Sequence, residues 1–444
     1  MTSSCTFKLL TLTLVALVPL MVPRVLAPRP ASPTKPPVAS SAISPAASAP
    51  VSSVASSAAS PVVSANSQFA LALYQNLNAG KGARDQNIFV SPYSISTALA
   101  MTYLGSRGDT HQQMASVLHL SMPDDQLQAC YAALLAQTQA TPAKRYKLEV
   151  ANALWGPQGV EFQSAFTDAI SKYFGGGFNL MDFAHAPDAS RLKINQWVED
   201  KTAKKIRNLL HAPDITTSTR LVLTNAIYFK GDWAYKFEKE ATETAPFTVR
   251  PGKIVNVPMM EHQHYFPFAE DGEMQIIEIP YAGNDLSLIA ILPAGDAEKF
   301  GAALTLAKLR GLRSRMYEQK VNVFLPRFKF ETRYYLEGPL TALGMPDAFD
   351  GSKADFSGMT GHRDFCIAHV IHQAMIDVNE EGSEAAAATA ITMAPTAAAP
   401  RPHPTFRADH PFIFMIIHRP TDSILFMGRV SNPPPATPAA PKPR

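Results

Sequence analysis

From Val378 to Met393 the chain reads Val-Asn-Glu-Glu-Gly-Ser-Glu-Ala-Ala-Ala-Ala-Thr-Ala-Ile-Thr-Met. Acidic residues come first, then one glycine, then small side chains that offer no anchor for a fixed surface. Alanine favours helix, but moving such a run costs little side-chain entropy or packing. At the strand period of two, Ser383, Ala385, Ala387, Thr389, Ile391 and Met393 share one face, and Glu384, Ala386, Ala388, Ala390, Thr392 and Ala394 share the other. The charge falls on one face and both larger apolar side chains on the opposite one. The segment therefore reads as a strand in waiting, exposed at first and able to be buried later. A linker or helix fragment is the alternative, and context weighs against it. Ala394-Pro395-Thr396-Ala397 follows, then a proline-rich descent to Phe406-Arg407-Ala408-Asp409-His410-Pro411-Phe412.

Composition narrows the class. A formal charge of +3 is too small to argue for nucleic acid or an anionic membrane as principal partner. Hydrophobic content of 46% is ordinary for a globular protein, and the 37 prolines concentrate in the first sixty residues, the late loop and the C-terminal tail. Lys8, the apolar stretch Leu9 to Val22 and Val25-Leu26-Ala27 read as a signal peptide over residues 1–27. Pro28 leaves a later cut, or an uncleaved anchor, open. Residues 28–64, rich in Pro, Ala and Ser, read as a disordered tether, and 434–444 as a disordered tail. Of three cysteines, Cys5 lies in the signal, and Cys130 and Cys366 are expected to be free and buried. No Asn-x-Ser/Thr acceptor occurs, which leans toward a bacterial secretory route.

The folded part is expected to begin near Ala65, where Phe69, Leu71, Leu73, Tyr74 and Leu77 show helical spacing. Asn87-Ile88-Phe89-Val90-Ser91-Pro92-Tyr93-Ser94-Ile95 and the apolar run to Met101 read as strand, turn and helix. Leu221-Val222-Leu223-Thr224-Asn225-Ala226-Ile227-Tyr228-Phe229-Lys230-Gly231-Asp232-Trp233 reads as a buried strand followed by a turn. Pro411 to Ile417, Ile424 to Val430 and Asn432-Pro433 close the domain. Mixed helices and apolar strands give an α+β class. With the small-residue loop, these blocks resemble the serpin family over about residues 66 to 433, so one domain is assigned to 65–433. The resemblance implies three β-sheets, about eight or nine helices and an exposed reactive-centre loop.

It also implies a function. A serpin of the inhibitory type is a suicide substrate: a serine protease cuts its loop, and the loop inserts into the main sheet while the acyl-enzyme is still attached. Matched onto the family, the hinge is Glu380, Glu381, Gly382, Ser383, Glu384, Ala385, Ala386, Ala387, Ala388 and Thr389. Gly382 supplies backbone freedom, and no proline or bulky charge interrupts Ala385 to Ala388. Trp233 and Arg327 match the insertion point, with Arg327 facing Glu380. Ser91, Ser94, Asn225 and His372 match the polar cluster that holds two strands together until the sheet opens. Family spacing puts the bait bond at Thr396–Ala397, with a cut after Met393, Ala397 or Ala398 left open because the loop is longer than usual. Small residues before the cut suit elastase- or subtilisin-like proteases. Cysteine proteases are a second class of target, and a non-inhibitory binding or chaperone module is the rival reading.

Other features are read plainly. His262 and His264 beside Glu261 lack a third spaced metal ligand and read as surface loop. Gly175-Gly176-Gly177 reads as a turn. Lys201, Lys204, Lys205 and Arg207, and Lys308, Arg310, Arg313 and Arg315, read as solvated helix faces, so no heparin site is expected. No nucleophile motif, cofactor motif or metal set stands out, and the expected state is a secreted or periplasmic monomer that is not an enzyme.

Overall fold

The computed structural model describes residues 60–80, 82–139, 145–175, 177–383 and 403–436. All of them belong to the second of two units, Val54–Arg444. Helix α1 (Ser60–Asn78) leads to β1 (Ile88–Val90), α2 (Pro92–Tyr103), α3 (Gly108–Val117) and α4 (Asp124–Thr138). Then come β2 (Tyr146–Pro157), α5 (Ser164–Phe174), β3 (Phe178–Met181), α6 (Pro187–Lys201) and β4 (Leu221–Asp232). A run of strands supplies β5 (Glu243–Arg250), β6 (Lys253–Glu270), β7 (Met274–Pro280) and β8 (Leu286–Pro293). After two short helices follow β9 (Tyr317–Pro326) and β10 (Phe328–Tyr335). The last part holds β11 (Ile367–Val378), β12 (Gly382–Ser383), β13 (Thr405–Arg407), β14 (Phe412–His418) and β15 (Ser423–Val430).

Hydrogen bonding joins these strands into two sheets where three were expected. The central sheet runs β10-β11-β4-β2-β3, with β12 added to β4. The other runs β1-β15-β14-β8-β7-β6-β9-β13, with β5 on β6. It is continuous because β6, 18 residues long, pairs with β5 at one end and with β9 and β7 at the other. Ten α-helices are present among the described residues, slightly more than expected.

Helix α2 is buried along its whole length, and the hydroxyls of Thr97 and Thr102 are satisfied by donating to Tyr93 O and Ala98 O. Ser91 caps it, accepting from the backbone N–H of Ser94, and Pro92 takes the first-turn position where no donor is missed. On the far side of the central sheet, Ile194 and Val198 of α6 pack with Ala151, Trp155, Val222 and Ala226.

Several sequence expectations need correction. The folded part starts before Ala65: α1 begins at Ser60, with Pro61 in its first turn, and Val62 and Val63 are buried in the core. Two valines in a Pro/Ala/Ser run carry enough apolar surface to extend the helix. At the other end Ala436 is hydrogen-bonded to β6 through Asn256 O, so the tail is partly engaged. His262 and His264 lie within β6, not in a loop, beside Tyr235, Phe237 and Phe266. Burial among these rings lowers the His262 imidazole to about 4. Lys204, Lys205 and Arg207 follow the end of α6 and sit on no helix face. Arg313 and Arg315 are paired with Asp422 and Asp271. Cys130 and Cys366 are free but only half-buried.

The early start of α1 has a measurable consequence. A chain begun at Ala65 loses Val62 and Val63, each worth about 1.5–3 kcal/mol when fully buried. Its denaturant midpoint should fall clearly below that of a chain begun at Val54, and equal midpoints would refute the packing described for the first turn.

Candidate functional site

The central sheet contains a parallel seam. Strands β4 and β11 pair in parallel from Ile367↔Leu221 to Met375↔Tyr228, and there the pairing stops. Their outer neighbours continue, β2 pairing with β4 as far as Gly231 and β10 with β11 as far as Val378. The last residues of β4 and β11 thus bound a wedge, open at one end of the sheet. The hinge residues enter this wedge.

Asn379 to Gly382 form a tight turn closed by Asn379 N–H to Gly382 O at 2.8 Å and Gly382 N–H to Asn379 O at 3.1 Å. The chain then runs antiparallel to β4, with Gly382 opposite Asp232 and Ser383 opposite Gly231. Gly382 has φ 141°, a conformation few L-residues adopt, and a Cβ there would collide with Gly231 O, Asp232 Cα and the Trp233 nitrogen. Only glycine fits that approach.

Trp233 is the wall of the wedge. It is buried, stacks on Tyr281 with centroids 4.5 Å apart, and meets Phe237 edge-on at 6.1 Å. Its indole Nε1 donates to Asn379 O at 2.9 Å, and its backbone N–H donates to Glu381 O at 2.8 Å. The Phe237 N–H donates to Glu380 O at 2.9 Å. The two hinge carboxylates are buried and both are partnered. Lys236 and Lys239 reach the Glu381 oxygens at 2.7 and 2.6 Å and hold that carboxyl below its usual range. Thr242 Oγ1 donates to Glu380 Oε1 at 2.8 Å, and Arg327 lies 3.4 Å from the same oxygen. Arg327 is half-exposed, so its pairing is worth only about 0–1 kcal/mol.

Further along the seam a row of polar side chains crosses the sheet. Asn152 on β2 is in register with Asn225 on β4, which is in register with His372 on β11. Ser91 N–H donates to His372 Nε2 at 3.1 Å. Because an amide can only donate, Nε2 accepts, and the proton on Nδ1 is given to Asn225 Oδ1. Asn225 Nδ2 then donates to Ser94 Oγ at 2.7 Å and to Asn152 Oδ1 at 2.6 Å. Ser91 Oγ donates to Leu425 O at 2.7 Å, tying the row to the second sheet. The His372–Asn225 bond crosses the seam itself. Complete burial pushes His372 down to about 3, so it is neutral at ordinary pH.

Ser91, Ser94, Asn225 and His372 therefore meet in one network, and Trp233, Arg327 and Glu380 to Ser383 meet in another. Glu384 to Thr389 and the Thr396–Ala397 bond lie outside the described residues. Sequence reading missed Asn152, whose only signal is its place opposite Asn225. It also missed Lys236, Lys239 and Thr242, which look like ordinary surface residues until the hinge turn is laid beside them.

The neutrality of His372 sets a pH dependence. The unfolded imidazole takes a proton near 6.5 and the folded one resists until about 3. This contribution to stability is complete above about 6.5 and drains as pH falls toward 3. Denaturant unfolding at pH 7 and pH 5 should differ by about 2 kcal/mol through this residue. His372→Gln should remove that part of the slope; identical pH slopes in the two proteins would contradict the assignment.

Comparison with known proteins places the chain in a family. The family model described as serpin (serine protease inhibitor) matches residues 64–433. Leukocyte elastase inhibitor of Equus caballus is 42% identical over 380 residues, 83% of this chain and 99% of that one. The Homo sapiens protein of the same name is 41% identical over the same shares. Among solved structures, uncleaved ovalbumin aligns with a TM-score of 0.75 at 30% identity, covering 84% of this chain and all of the other. Serpin48 of the insect Tenebrio molitor gives 0.73 at 30% identity, covering 84% and 98%. The chain belongs to the serpin family of serine protease inhibitors.

Proposed function

We propose that this serpin inhibits elastase- or subtilisin-like serine proteases as a suicide substrate. The observation that carries this reading is the hinge, already running antiparallel to β4 in the wedge where the β4–β11 pairing stops. In the first step the protease serine Oγ attacks the carbonyl carbon of the bait residue, proposed to be Thr396. The peptide bond breaks, the amine of Ala397 leaves with the proton delivered by the protease histidine, and an acyl ester remains. The chemistry belongs to the protease, and this chain contributes the bond and the trap.

Cleavage frees the hinge. Glu384 to Thr389 would then follow Ser383 between β4 and β11, turning one parallel seam into two antiparallel ladders. From Gly382 to Thr396, at about 3.3 Å per residue, the inserted strand spans roughly 46 Å, so the tethered protease is carried a domain's length before water can hydrolyse the ester. Small side chains let the segment pass beneath α6, and the face of Ser383, Ala385 and Ile391 becomes buried. Opening the seam requires the His372–Asn225 bond to break, which fits a cluster of exchangeable polar groups better than an apolar one. The relatives named leukocyte elastase inhibitor support an elastase-like target, as do the small residues before Thr396. Residues 1–27 we read as an export signal, which would place the inhibitor outside the cytoplasm; separately, we take it to act as a monomer.

Two measurements test this reading. Mixed with pancreatic elastase at equal concentration, the protein should give a band at the combined mass on a denaturing gel, and the released peptide should begin at Ala397. Ser383→Arg should turn the inhibitor into a substrate, because a charge cannot enter the first buried slot. Cleavage without any complex, with elastase, subtilisin and papain alike, would favour a non-inhibitory binding module.

A further inference from the structure

Between α6 and β4 the chain makes a long connection, residues 202–220, over the same face of the central sheet as α6. Its side chains Ile206, Leu209, Leu210 and Ile215 are buried with Ala151 and Trp155 of β2, Val222 and Ala226 of β4 and Ile371 of β11. The connection therefore lies across the β4–β11 seam. It is not a relaxed coil. Ala203, Lys204 and Asn208 all have positive φ, at 50°, 61° and 52°. That conformation is unfavourable for residues with a Cβ, and it persists only where neighbouring contacts impose it.

Contacts from both sides of the seam meet on one peptide group of this connection. The Leu210 N–H donates to Asn195 Oδ1 at 2.8 Å, and Asn195 Nδ2 donates back to Leu210 O at 2.9 Å. Asn195 belongs to α6, which is seated on β2, where the Trp155 and Trp197 rings meet edge-on at 5.2 Å. The carbonyl of the same peptide group, Leu209 O, accepts from Arg333 Nε at 3.0 Å. Arg333 stands on β10, the edge strand beyond β11. It is fixed there in turn. Its Nη2 donates to Asp214 Oδ2 at 2.8 Å, and its guanidinium lies 4.4 Å from the centroid of the Tyr335 ring. The Tyr335 hydroxyl donates to Asp214 Oδ1 at 2.8 Å. The Asp214 carboxylate is buried and also accepts from the His211 N–H at 2.7 Å.

We propose that Arg333, Asp214 and Tyr335 form a clamp that brakes opening of the seam by tying the connection over the sheet to β10. Admitting a strand moves β10 and β11 away from β2 and β4 by one strand spacing, about 4.8 Å. Bonds of 2.8 and 3.0 Å cannot stretch that far, so the Leu209–Leu210 peptide group cannot stay bonded to both α6 and β10. Release falls on the β10 side. Asn195 is carried by a helix whose Ile194 and Val198 are packed in the core, whereas Arg333 acts through a long side chain. Release also strips a buried carboxylate of its guanidinium partner, which is costly, and that cost slows opening. The clamp rests on the reading that the loop inserts, but its effect on the seam can be read without protease or loop cleavage.

The test compares the full chain with full-length Tyr335→Phe, which removes one hydrogen bond, and Arg333→Met, which removes the fork. Lys329→Met is the control, because Lys329 pairs at 2.8 Å with Asp377 of β11 on one side of the seam only. Amide hydrogen exchange at the groups through which β4 and β11 pair reports opening directly. Tyr335→Phe should raise exchange there by about fivefold, the worth of one hydrogen bond, and Arg333→Met by more. Lys329→Met should leave it unchanged, and β14 and β15 should keep their protection throughout. Unchanged exchange at the seam in both clamp variants would overturn the clamp, as would an equal rise in β14 and β15 or in the control. If Arg333→Met does not fold, Tyr335→Phe decides alone. Uptake of a synthetic peptide with the sequence of residues 383–396 separates the clamp from insertion. Faster exchange with faster uptake supports both. Faster exchange with no uptake by any of the proteins supports the clamp and counts against insertion.

Discussion

Everything functional here depends on one seam of parallel pairing between β4 and β11. Both strands are flanked on their outer sides by antiparallel neighbours, β2 and β10, and only where they meet each other is the pairing parallel. A strand running the opposite way would satisfy both edges at once and convert a weaker pairing into two stronger ones. The native sheet is thus paired along the seam, and in the proposed mechanism this is not its most stable arrangement. The proposed trap requires a barrier between the two arrangements.

Two sets of contacts hold the seam in its starting state, and they do so differently. Along the strands the His372–Asn225 bond is buried, neutral and fully partnered, and parting the strands strips groups that would cost about 1–3 kcal/mol each if left unsatisfied. At the mouth the grip on the hinge is spread over backbone bonds to Trp233 and Phe237 and over two carboxylates held from the rim by Lys236, Lys239, Thr242 and Arg327. These rim partners are partly solvated, so each is worth little and can let go in turn. A strong latch inside and a loose one outside are what the proposed mechanism needs, in which the sheet stays closed until the loop is cut.

Much of this was legible in the sequence, for identifiable reasons. The buried strand around Asn225 and the buried helix after Ser91 have patterns that allow few alternatives. The domain limits were less legible, because Val62 and Val63 sit in a low-complexity stretch whose composition hides that they pack, and Ala436 follows three prolines that look like a free tail. Asn152, Lys236 and Lys239 were invisible for another reason. Their partners are far away along the chain, and only register across β2 and β4, or the path of the hinge turn, brings them together.

Whether the loop becomes a strand of the central sheet can be read from the unfolding temperature before and after loop cleavage. A non-target protease that cuts between Ala385 and Thr396 without being trapped supplies the cleaved form. The cut protein should unfold far above the intact one, because a filled seam has exchanged its parallel pairing for two antiparallel ladders. If the cut and intact proteins unfold at the same temperature, the loop does not insert and the seam is only an ordinary parallel pair.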